Sequence, residues 1–291
     1  MRNKKQMYPQ YFLLPALIIY TLLVLIPSFS GFYFGFTNWN SMRPVAKWIG
    51  LKNFINIFSN SSGMGHVFLN TTIYAVFTTV FKLILGLVLA LLLNKKLRTR
   101  NVLRAIYFLP MMLATVALGI VFTEILKPSG LLNTFLGSIG LASLQRQWTQ
   151  DPSLCIWSLA SIEVWRASGF AMVVFLAALQ AVPQELYESV EMDGAGPWNT
   201  FAHITLPNLL PAIEVNVSLG LISGFKAFDL ILVVTNGGPG HASEVLNVSV
   251  YNEFSKGLYG YSTAMSVVLF IIITAVYLAV NRIFRKAEVD L

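Results

Sequence analysis

Charge is scarce in this chain. Asp, Glu, Lys and Arg make up 11% of its 291 residues, where an ordinary soluble domain carries about 25%. With 56% hydrophobic residues, a soluble protein of this size would expose apolar patches well beyond the roughly few hundred Å² that monomers tolerate. Cysteine is nearly absent too. Cys155 stands alone, which excludes a disulfide framework and any multi-cysteine metal site. The three histidines, His66, His203 and His241, share no ligand spacing, so no metal site is expected. A G-x-x-x-x-G-K-[ST] phosphate loop is missing, so the chain is not expected to bind a nucleotide in that way. No cleavable signal peptide is expected either. Arg2, Lys4 and Lys5 precede an apolar stretch too long for an h-region, with no small-residue cleavage site behind it.

Long uncharged runs take the place of charge, and mean hydropathy is +0.67. A helix crossing about 30 Å of hydrocarbon needs roughly 20 mostly apolar residues. Six stretches qualify: 11–36, 70–93, 105–126, 154–182, 209–234 and 259–281. The second holds Lys82, the fourth Glu163 and Arg166, and the fifth Glu214, Lys226 and Asp229. The expected fold is therefore all-α, a polytopic membrane protein of six transmembrane helices in one domain over 1–291.

The net charge of +7 suits a bilayer rather than nucleic acid, because the basic residues flank the apolar runs. With the N-terminus inside, the cytoplasmic segments hold eleven Lys and Arg and the opposite ones six. This bias predicts that both termini are cytoplasmic.

One cytoplasmic segment departs from the rule. Residues 183–208 contain no Lys or Arg but four acids, Glu185, Glu188, Glu191 and Asp193. Pro183 and Glu185 suit a helix start, and Leu186 and Val190 form a short apolar stripe. Gly194, Ala195, Gly196 and Pro197 then break the helix, and a second short piece from Trp198 to His203 precedes Pro207. The pattern predicts a knob of two short helices with a glycine elbow. It reads either as a solvated acidic loop or as a docking surface for a basic partner.

The knob is similar to the EAA loop of ABC importer permeases, a pattern of E-A-A, three residues, glycine, nine residues, then I-x-L-P. Glu188-Ser189-Val190, Gly194 and Ile204-Thr205-Leu206-Pro207 keep every spacing, with Ser189 and Val190 where alanines are usual. Phe36-Thr37-Asn38-Trp39-Asn40, Gly50-Leu51-Lys52-Asn53-Phe54, Phe108-Leu109-Pro110, Phe175 to Gln180 and Phe225 to Asp229 extend the likeness. Thr235-Asn236-Gly237-Gly238-Pro239-Gly240 resembles the T-x-G-G-P-G of the first of two paired carbohydrate permeases. The maltose, multiple-sugar and glycerol-phosphate permease group fits best.

The resemblance implies a set of partners. They are a homologous second permease, two ATPase subunits that use ATP and Mg, an extracytoplasmic sugar-binding protein and the lipid bilayer of the bacterial cytoplasmic membrane. It implies no enzyme activity and no cofactor for this chain. Glu188 inherits the contact with a basic ATPase cleft and Gly194 the elbow. Glu185, Ser189, Val190, Asp193, Ile204, Leu206 and Pro207 complete the coupling surface.

An ionisable residue at membrane depth costs at least about 2.5–3.5 kcal/mol on insertion scales, so it faces protein or water. Glu163 and Arg166 are three apart and share a helix face with Phe170, and Lys226 and Asp229 repeat the spacing. They read either as self-neutralised pairs joining helices or as the lining of a polar cavity. The resemblance favours the second reading for Glu163, Arg166, Ala167 and Phe170, and for Gly220, Ser223, Gly224, Lys226 and Asp229. Gly220 and Gly224 open a face for a sugar ring or for another helix. Lys82 is expected to be structural, by snorkelling or by pairing with an acid elsewhere.

A neutral oligosaccharide is the expected cargo, with an acidic sugar or a glycerol-phosphate ester as the alternative. A gradient-driven secondary transporter and a membrane-embedded enzyme or assembly subunit remain the rivals. The first lacks a visible internal repeat here, and the second lacks a catalytic constellation.

Overall fold

The computed structural model describes residues 10–42, 45–59, 63–95 and 98–289. Arg2, Lys4 and Lys5 lie outside them. The described residues are helical apart from loops and one isolated bridge between Thr37 and Trp48. Six helical stretches are long and apolar enough to cross a membrane: Tyr11–Gly35, Met64–Leu93, Thr115–Ser138, Cys155–Ala181, Leu210–Val234 and Tyr259–Arg285. The described residues form two compact units, those within 1–62 and 250–268 and those within 63–249 and 269–291.

In the first unit, α1 (Tyr11–Gly35) widens to a π-helical turn over Thr21–Leu25. Pro27 follows two residues later and has no N–H to give to the preceding turn, so the helix widens rather than breaks. After α1, the two motifs around Trp39 and Asn53 are tied together. Asn53, buried in α2 (Lys52–Ile57), donates from Nδ2 to the carbonyls of Gly35 at 2.9 Å and Thr37 at 2.8 Å. Trp39 packs against Tyr259 at 4.9 Å between ring centroids.

The second unit is built on α7 (Cys155–Ala181), the most buried of the long helices. It packs against α3 (Met64–Leu93), α4 (Arg100–Met112) and α10 (Leu210–Phe225). One apolar cluster joins Tyr74, Leu159, Ile162 and Ile231; another joins Leu93, Met172, Phe175, Leu176 and Leu209. Gly169 lets α4 cross α7 backbone to backbone, because a Cβ there would lie 2.0 Å from the Tyr107 carbonyl oxygen. Much of the remaining apolar surface, Val76, Ile84, Val88, Ile106 and Ile120 among it, is exposed, as a lipid-facing surface requires.

Two spans differ from expectation. The third, expected as one helix over 105–126, breaks at Leu113 and Ala114, which are both extended. Its first half is α4, and α5 (Thr115–Leu126) leads to α6 (Leu131–Ser138). Pro110 weakens the end of α4. The halves also pack on different helices, α4 on α7 and α5 on α11 (Asp229–Val234). The fifth span ends its first helix at Lys226 and restarts at Asp229, with Phe228 at φ −151° and ψ −70° between them.

The knob follows α7 after two residues. Its first limb is α8 (Gln184–Met192), preceded by extended Pro183. Gly194, at φ +75°, closes it in a Schellman turn. The Gly194 N–H bonds to the Glu191 carbonyl and the Ala195 N–H to the Val190 carbonyl. The second limb starts with α9 (Pro197–Thr200). It then continues through a π-helical turn (Phe201–Thr205) and a short turn (Leu206–Asn208) into α10. The second π turn also ends two residues before a proline, Pro207. The second short piece, expected over 198–203 ahead of Pro207, therefore runs on into the fifth span along an almost continuous helical path.

The chain then runs through α12 (Leu246–Ser255) to α13 (Tyr259–Val289). The loop from Thr235 to Glu244 is latched to the start of α3. Asn70 donates to the carbonyls of His241 and Glu244, and the Leu246 N–H to Thr71 Oγ1.

Candidate functional site

A cavity of about 240 Å³ lies among α3, α4, α7 and α10, lined in part by Lys82, Glu163, Arg166, Phe170, Asn216 and Ser223. Glu163 is its anchor. Arg166 holds that carboxylate with both arms of its fork, Nε to Oε2 at 2.8 Å and Nη2 to Oε1 at 3.0 Å. Lys82 reaches the same carboxylate from α3, with Nζ 3.8 Å from Oε1, and donates to Ser223 Oγ at 3.3 Å. One acid thus ties α3 to α7, and Lys82 ties both to α10.

The sequence-predicted residues divide. Glu163, Arg166, Ala167, Phe170, Gly220 and Ser223 meet at the cavity. Gly224, Lys226 and Asp229 do not line it. Gly224 is a packing residue, since a Cβ there would lie 2.5 Å from Ala75 Cα. Lys226 and Asp229 sit on either side of the helix break, both exposed, so they do not share the helix face expected of them. The Lys226 carbonyl instead accepts a hydrogen bond from Asn247.

Lys82 is the residue underrated from sequence. It has its acid partner, as one expectation allowed, but that partner lies inside the cavity. A signal existed. Thr71, Ala75, Thr78, Thr79, Lys82 and Gly86 form a small and polar stripe at helical spacing along an otherwise apolar span. Asn216, Gly220 and Ser223 mark α10 in the same way. Thr79, Met111 and Asn216 are further lining residues that no motif pointed to.

At the knob, Glu185, Glu188, Glu191 and Asp193 are all exposed, and none forms an ion pair among the described residues. Gln184 Nε2 donates to Glu188 Oε1 at 2.7 Å and orients that carboxylate. Tyr187 hydroxyl meets Thr205 Oγ1 at 3.4 Å, joining the two limbs. Ser189 and Leu206 are exposed, while Val190, Ile204 and Pro207 are half-buried. Met192 and Trp198, 89% and 74% exposed, add an apolar rim to the acidic surface. The described residues contain no group of three or more His, Cys, Asp or Glu placed to hold a metal ion.

Residues 82–289 match the family described as a binding-protein-dependent transport system inner membrane component. The chain belongs to this family. The permease is 34% identical, over 99% of each chain, to the probable ABC transporter permease protein YurN of Bacillus subtilis. It is 32% identical to the trehalose/maltose transport system permease protein MalF of Thermococcus litoralis, over 94% of this chain and 93% of that one. Its structure is similar to that of a chain in a bacterial ABC transporter involved in the import of the acidic polysaccharide alginate. The TM-score is 0.82 at 25% identity, covering 94% of both chains. The family match runs from Lys82 through the knob to the end of α13, and so spans the knob and most of the cavity lining.

Proposed function

We propose that this permease forms half of the translocation path of an ATP-driven carbohydrate importer. It pairs with a homologous second permease and docks through its knob on one of two ATPase subunits. A binding protein delivers the cargo from outside the cytoplasmic membrane, with both permease termini and the knob on the cytoplasmic side. ATP and Mg are used by the ATPase subunits. The observation that carries this reading is that the two limbs of the knob adjoin two of the helices that wall the cavity. The first limb lies two residues after α7, which bears Glu163, Arg166 and Phe170. The second runs into α10, which bears Asn216, Gly220 and Ser223.

The chemistry suits a sugar. Charged and amide side chains meet hydroxyls, and the Phe170 ring offers an apolar face. Small-molecule sites occupy about 300–1,000 Å³. A cavity of about 240 Å³ is what one chain contributes when a second completes the site. The relatives above are named for trehalose and maltose in one case and alginate in another, so kinship supports a sugar without choosing its charge.

The transport step is a shift between two helix arrangements. ATP-driven closure of the ATPase subunits moves the docked knobs, and α7 and α10 carry that displacement to the cavity walls. Purification from native membranes in mild detergent tests the assembly. A second permease and an ATPase are expected to co-purify, with ATP hydrolysis stimulated by the loaded binding protein. Recovery of this chain alone contradicts the reading.

A further inference from the structure

We infer that the cargo carries an anionic group, and that Lys82 and Arg166 are the residues that select it. The inference rests on the importer reading above and narrows it to acidic sugars. It starts from charge balance. The lining holds two cations, Lys82 and Arg166, and a single acid, Glu163. All three side chains are largely buried, with relative exposures of 9%, 15% and 11%. Both Glu163 oxygens are already engaged by Arg166, and Lys82 shares one of them from 3.8 Å. Within this chain's share of the site one positive charge is left over at membrane depth, where an uncompensated ion is costly.

The donor inventory points the same way. Most neutral donors of the lining are spent on backbone carbonyls of their own helices: Thr79 Oγ1 on Ala75, one hydrogen of Asn216 Nδ2 on Ala212 and Ser223 Oγ on Gly220. Asn216 keeps one amide hydrogen, and the other free donors belong to the two cations. Lys82 has three and spends one on Ser223. Arg166 Nη1 faces only the Met111 sulfur at 3.6 Å, a weak acceptor. A neutral sugar finds few donors here beyond those on charged groups, whereas a carboxylate or sulfate ester finds two cations with hydrogens to give.

Asp229 does not supply the missing counter-ion. It is exposed, lies outside the lining and forms no ion pair with Arg166 within 4.0 Å. Lys226, exposed on the far side of the helix break, restores the local excess in any case.

The test uses the whole complex in lipid nanodiscs with its own binding protein and reads stimulation of ATP hydrolysis. The probes are tetragalacturonate and tetramannuronate for carboxylates, a sulfated carrageenan tetrasaccharide for sulfate, and maltotetraose and cellotetraose as neutral sugars. At least one acidic probe is expected to stimulate ten times more than either neutral one, and the responding arm identifies the anion. Lys82→Met is expected to cut that acidic-to-neutral ratio at least tenfold, while Lys82→Arg keeps it. That conservative rescue separates charge recognition from loss of folding. Stimulation by neutral sugars alone, or a ratio unchanged in Lys82→Met, overturns the anionic assignment and leaves sugar import standing. No response to any probe overturns both.

Discussion

Glu188→Lys is expected to abolish recovery of the ATPase with this permease while the permease itself still inserts and folds. Glu188 is exposed on α8 and accepts a hydrogen bond from Gln184 at 2.7 Å. Reversing its charge therefore disturbs little within the chain. At a docked interface with a basic cleft, the same change sets like charges together, which costs several kcal/mol. Each 1.4 kcal/mol or so is tenfold in affinity, so loss on the order of a hundredfold follows. Affinity purification through a tag on the permease, with ATPase and permease quantified in the eluate, reads the result. Unchanged ATPase recovery would remove Glu188 from the interface.

The second large effect is expected inside the membrane. Glu163→Gln removes the only acid among the described residues that line the cavity and leaves Lys82 and Arg166 facing each other across α3 and α7. Breaking a buried ion pair by deleting one partner costs about 3–5 kcal/mol. The variant complex is expected to unfold at a clearly lower temperature in detergent, with reduced yield. Glu163→Gln combined with Lys82→Met is expected to recover part of that loss, because only one cation then lacks a counter-ion. A thermal midpoint unchanged in the single variant, or no recovery in the double, would show that Glu163 is not what neutralises the two cations.

The membrane spans were legible because bilayer thickness imposes a length that apolar runs must meet, and composition reports it directly. The knob was legible for a different reason. Pro183 and Gly194 are local signals, and their backbone geometry follows from the residue type alone. The helix breaks at Leu113–Ala114 and at Lys226–Phe228 were not read from the sequence, since neither contains a glycine or proline and Pro110, three residues before the first, weakens a helix without fixing where it ends. Tertiary packing sets them: α4 is held at Gly169 while α5 turns toward α11, and Gly224 seats α10 against Ala75 just before its end. The two π turns show the reverse case, in which Pro27 and Pro207 are plain in the sequence yet widen a helix rather than end it. At the cavity, Glu163 and Arg166 could be paired from their spacing on one helix. Lys82 could not, because its partner lies 81 residues away on another helix and only the packing of α3 on α7 brings them within 3.8 Å.

The most direct measurement is sugar accumulation in proteoliposomes that contain the complete complex, with loaded binding protein on one face and ATP on the other. The account predicts uptake that requires ATP and binding protein, persists when proton and sodium gradients are collapsed, and disappears with Glu188→Lys. Uptake driven by an ion gradient without ATP would contradict it.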